Sequence, residues 1–142
     1  MRKNITILLL ALTMCLSCSP PASAQATTSR EQENTIFRYE EMYSLKPALT
    51  IANGTASCSF KAVGNSGTTS ISATAVLYRV NTNGTLTEQK TWSGLSADGD
   101  TLIWSASRAV TQGHTYRLTV TATVYRGGRS ETVTQSVSAY AA

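Results

Sequence analysis

The sequence predicts an all-β fold, an antiparallel sandwich of seven strands. Three observations predict it. From residue 48 onward, apolar residues recur at every second position in short runs, the period of a half-buried strand. Turn signals built from Gly, Asn and Ser separate these runs at intervals of ten or so residues. Charged residues make up only 14% of the 142, while Ser and Thr number 17 and 22. So little charge argues against a coiled coil, a helical bundle or an acidic disordered tail. Thr on a pleated solvent face accounts for the excess of hydroxyls.

Residues 1–24 read as a secretory signal. Arg2 and Lys3 form a positive start, and Ile5 to Leu16 is apolar but too short to span a bilayer. Ala22-Ser23-Ala24 fits the small-x-small pattern of a cleavage site before Gln25. A lipoprotein reading would acylate Cys15 or Cys18. Met14 is too large for the position before Cys15, and Cys15 itself stands where Cys18 would want an aliphatic residue, so the secreted, extracellular reading is preferred. Cleavage would lower the formal charge from +4 to +2, which leaves no nucleic-acid footprint. Cys58 would be the one thiol left, so no internal disulfide is possible.

Residues 25–46 read as a polar leader whose second half, holding Ile36, Phe37, Tyr39 and Tyr43, docks on the domain. Pro47 stops any helix from running on. The sandwich is expected over 47–142. Its first strand, 48–52, meets the second, 55–63, through the Asn53-Gly54 hairpin turn. The second alternates cleanly, with Ala56, Cys58, Phe60 and Ala62 on one face. The third, 70–80, carries apolar residues on both faces and is expected to be central. The fourth, 85–93, puts Leu86 and Trp92 on the parity of Glu88 and Lys90, an edge-like mixture, and 94–100 reads as a loop. The fifth, 101–108, has Leu102, Trp104 and Ala106 on one face. The sixth, 115–126, is the strongest: Tyr116, Leu118, Val120, Ala122 and Val124 alternate with Arg117 and three threonines. Gly127-Gly128 turns the chain into the seventh, 130–139.

Residues Val110 to Ala122 carry a resemblance. Gly113, Tyr116, Leu118, Val120 and Ala122 match the loop and sixth strand of fibronectin type III domains, with Gln112 in place of the usual Pro. The architecture of 47–139 resembles that family and the wider immunoglobulin-like sandwiches. The resemblance implies a tyrosine-corner role for Tyr116, its hydroxyl bonding the preceding loop. Leu118 stands where disulfide-bonded immunoglobulin domains carry Cys, so Cys58 would pack as a core thiol. Phe60 stands on the second strand, where the fibronectin type usually has Trp. The chain as a whole also resembles small exported bacterial single-domain proteins. Neither resemblance carries over a catalytic or binding residue.

The residues offer little chemistry. His114 is the only His and sits in the turn before the sixth strand, while Cys58 is expected to face the core mid-strand, so no base-and-nucleophile geometry is suggested. Asp98-Gly99-Asp100-Thr101 lacks the later acidic positions of a calcium loop and reads as a turn. No metal and no cofactor are expected, and no catalytic residue is assigned. The aromatics Trp92, Trp104, Tyr78, Tyr125 and Tyr140 admit two readings: Trp104 as core with the Tyr residues as half-buried cross-strand partners, or Tyr78, Tyr125 and Trp92 as a stacking platform, with Tyr78 and Tyr125 as neighbours on one sheet. The expectation is therefore a non-enzymatic, exported interaction or adhesion module for a protein or glycan. The alternative is a structural subunit that assembles through free sheet edges or by donating 25–46 as a strand.

Overall fold

A computed structural model describes residues 39–142. The signal at 1–24, the acylation candidates Cys15 and Cys18, and residues 25–38 of the leader lie outside the described residues. The described chain folds as seven strands in two antiparallel sheets: β1 (Met42–Ala52), β2 (Thr55–Gly64), β3 (Thr68–Val80), β4 (Leu86–Asp98), β5 (Thr101–Ala109), β6 (His114–Arg126) and β7 (Arg129–Ala141). One sheet has the order β1-β2-β5 and the other β4-β3-β6-β7. No helix among the described residues is long and apolar enough to cross a membrane.

Alternation builds the core. Ala56, Cys58, Phe60 and Ala62 of β2 face Ile71, Ala73, Ala75 and Leu77 of β3 and the inward row Tyr116 to Val124 of β6 across the sandwich. All are buried. β3 and β6 lie side by side in the middle of the larger sheet, the central place expected of the third strand. The β1–β2 hairpin closes at Asn53-Gly54, where both residues adopt positive φ, 50° and 71°. That backbone matches the right-handed twist of the flanking strands.

Two elements depart from the expectation. β1 begins at Met42, so residues 42–46 belong to the first strand and not to a leader. Pro47 lies inside that strand, opposite Phe60. A Pro is tolerated there because β1 is an edge and its missing N–H can face away from the ladder. Met42, Leu45 and Leu49 are buried, Tyr39 packs half-buried against the core, and Tyr43 points outward.

β4 runs on through 94–98, the stretch read as a loop. It does so by carrying two irregularities opposite β3. Gln89 is inserted between the pairs Leu77–Lys90 and Tyr78–Glu88, and Ser93-Gly94 together face Thr74. Gly94 takes φ +69°, the left-handed backbone that a bulge of this kind needs. Each inserted residue reverses the facing of the residues after it. Leu86 and Trp92, which share parity in the sequence, therefore end on opposite faces: Leu86 opposite outward Val80, Trp92 opposite inward Ala75.

The N-terminal end of β1 is clasped from β7. The Glu131 carboxylate accepts hydrogen bonds from the backbone N–H groups of Glu41 and Met42 at 2.7 and 2.9 Å, and a longer one from Glu40. The buried Glu41 carboxylate pairs in turn with Arg126 at 3.0 Å. β1 thereby packs along β7, and that side of the sandwich is closed.

Candidate functional site

The larger sheet turns a polar face outward. Its rows follow from the register. Thr119, Thr121 and Thr123 of β6 stand opposite Ser136, Thr134 and Thr132 of β7. Each pair is joined hydroxyl to hydroxyl, at 2.9, 3.0 and 2.8 Å. Ser72 and Thr74 of β3 extend two of these rows, and with Gly94 and Ser96 they line a depression over the second bulge. The centre of the face is thus a lattice of hydroxyls that already satisfy one another.

One end of this face has a different character. Leu86, Val80, Thr115 and Tyr140 form one row across all four strands. Glu88, Tyr78, Arg117 and Ser138 form the next. Tyr140 is 61% exposed and Leu86 40%, while Tyr78 and Val80 are half-buried. Strand spacing puts Tyr78 and Tyr140 about 12 Å apart, two strands over and two residues along. Arg117 lies between them on β6, its guanidinium directed to the Ser138 hydroxyl at 3.4 Å. The patch is apolar and aromatic, with one cation inside it and Glu88 at its margin.

The three aromatics singled out as a platform do not assemble. Tyr78 lies opposite Arg117, and Tyr125 lies opposite Ser70. Both face outward on the same sheet, but eight residues along β3 separate them, about 26 Å. They are not neighbours. Trp92 is turned inward by the bulge at Gln89 and packs on Trp104, ring centroids 5.1 Å apart. Trp104 in turn meets Phe60 at 5.5 Å. The sequence offers Tyr140 among the aromatics weighed for stacking, and Leu86 only as an edge-strand Leu. Their adjacency depends on a four-strand register.

Cys58 and His114 stand on different sheets. Cys58 faces the core from the middle of β2, and burial pushes its thiol up to about 11 from an ordinary 9.0. A thiol held neutral and inaccessible is neither a nucleophile nor a partner for an intermolecular disulfide. His114 opens β6 opposite Ala141, in the other sheet. Tyr116 is buried, and its hydroxyl accepts from the Thr111 N–H at 2.9 Å and donates to the Thr111 carbonyl at 3.0 Å. Among the described residues no group of three or more His, Cys, Asp or Glu stands close enough to hold a metal ion. Compared with known proteins, the chain matches no family model and no curated sequence.

Proposed function

We propose that the protein is an exported, non-enzymatic interaction module of immunoglobulin-like, fibronectin type III-like build. It docks a protein partner on the outward face of the β4-β3-β6-β7 sheet. The observation that carries this reading is the row Leu86, Val80, Tyr140, exposed at Leu86 and Tyr140, with Tyr78 and Arg117 beside it. An exposed apolar cluster with Tyr and Arg at its centre is the composition that protein interfaces favour. The paired hydroxyls next to it support the same reading. A Thr–Thr pair keeps its hydrogen bond when a partner covers it, so burying this face leaves few donors unsatisfied.

A protein partner fits better than a glycan. Sugar rings stack on aromatics that lie flat in one exposed row, and Trp92 is inside while Tyr78 and Tyr125 stand at opposite ends. Export rests on residues 1–24, and the fibronectin-type assignment on the three-plus-four strand order and the Tyr116–Thr111 contact. The test is differential capture from cell-surface extract by the chain from Gln25. A partner retained by the wild type and by Tyr125→Ser, but lost with Leu86→Ser/Tyr140→Ser, is the expected result. Equal retention by all three would reject this face, and signal on a glycan array would favour the carbohydrate version.

A further inference from the structure

The sandwich has four sheet edges, and three are blunted. β1 carries Pro47 and Lys46 and packs along β7. β7 spends Glu131 on the backbone of residues 40–42. β4 is broken by two bulges and carries Glu88, Lys90 and Asp98. Bulges, Pro and charge are the devices that keep edges from pairing with other chains. β5 has neither bulge nor Pro, and its one charge, Arg108, stands at its far end. It is unbroken over nine residues, it pairs only with β2, and it is neutral from Thr101 to Ser107 with Ile103 69% exposed.

Its charges lie at its two ends. Asp100 continues the line of β5, its carbonyl accepting from the Gly64 N–H at 2.8 Å. Arg108 stands at the other end, exposed. Eight residues of strand hold them about 26 Å apart, so within one chain they cannot meet. Two copies of the strand placed antiparallel about a two-fold axis at Trp104 bring Asp100 of each opposite Arg108 of the other. The same register sets Leu102 against Ala106 and Trp104 against its own copy. It also covers the half-buried Trp92–Trp104 pair, where β4 meets β5. Opposite charges directly across a strand pair are favourable, and like charges are not.

We propose that the protein pairs with a second copy of itself edge to edge through β5, in an isologous antiparallel register centred on Trp104 and fixed by two reciprocal Asp100–Arg108 contacts. This contact uses a different surface from the outward face and does not depend on partner binding there.

Sedimentation equilibrium of the chain from Gln25, in reductant, tests it. The wild type is expected to dimerise reversibly. Ile103→Lys, which puts a charge on the edge, is expected to abolish the dimer. Asp100→Arg and Arg108→Asp are each expected to weaken it about tenfold or more, and the double exchange to restore it, because the like-charge encounters of each single variant become opposite pairs again. Circular dichroism and melting temperature of every variant should match the wild type. A wild type that stays monomeric at millimolar concentration would overturn the proposal. So would charge variants that dimerise undiminished, or a dimer lost on removing residues 25–38 with β5 intact.

Discussion

Replacing Glu131 with Ala is expected to unfasten the start of β1. The Glu131 carboxylate reaches back ninety residues to accept from the N–H groups of Glu41 and Met42, and both of those residues are buried. A hydrogen bond to a charged group contributes about 1.5–3 kcal/mol net, and a buried donor left without a partner costs about as much again in desolvation. The bond from Glu40 is long and exposed and adds little. Two good bonds, discounted because water can enter once the carboxylate is gone, give about 3 kcal/mol. For a domain of this size that lowers the melting temperature by about 12 °C or more. If residues 39–46 detach before the domain unfolds, the loss is capped and appears instead as local exchange. Urea denaturation read together with hydrogen exchange at the Glu41 and Met42 amides separates the two outcomes. Glu131→Gln, which keeps one acceptor oxygen, should lose less than Glu131→Ala. A Glu131→Ala variant that changes stability by less than about 0.5 kcal/mol, with both amides still protected, would refute the reasoning.

Other expected outcomes rest on single contacts. Tyr116→Phe keeps the ring but strands both backbone groups of Thr111, and should cost about 1–3 kcal/mol in denaturant titration. Cys58 should resist alkylation at pH 8 until the protein is unfolded. Because its folded pKa of about 11 lies above the ordinary 9.0, the folded state holds the proton more tightly. That contribution to stability is fully present below pH 9 and is lost as the pH rises toward about 11. A thermal melt series over that range reads it, and an increase in stability there would contradict the sign. Thr121→Val/Thr134→Val removes both members of a hydroxyl pair and should be within about 0.5 kcal/mol of neutral, while either single change costs more. A double-mutant cycle with no coupling would remove the pair as a feature of the face.

The sandwich was legible because β2, β3 and β6 alternate without interruption, and a period of two leaves little room for another fold. The same rule failed on β4. One inserted residue at Gln89 reverses the facings from Lys90 to Trp92, until the bulge at Ser93-Gly94 restores them, and neither Gln89 nor its neighbours carry a mark of the insertion. Gly94 did carry one, but a Gly beside Ser and Leu reads equally as a loop and as a bulge. Range decided the rest. The Tyr116 hydroxyl bonds a residue five positions away, and a contact so local leaves its trace in a short string. The Glu131 clasp and the Leu86–Tyr140 row join residues far apart in the chain, and they exist only once the register of the sheets is set. Pro47 misled for the opposite reason. A local rule placed the domain boundary there, whereas the edge position of β1 lets the strand continue through it.

The outward end of the larger sheet as the partner-binding surface is tested most directly by site-specific photo-crosslinking. A photoreactive phenylalanine analogue replaces Tyr140 in one protein and Tyr125 in another, since both are exposed on the same face at opposite ends. Each is mixed with cell-surface proteins and irradiated. A discrete protein adduct from position 140 and none from position 125 is the expected result. Adducts only from position 125, or none from either position, would contradict it.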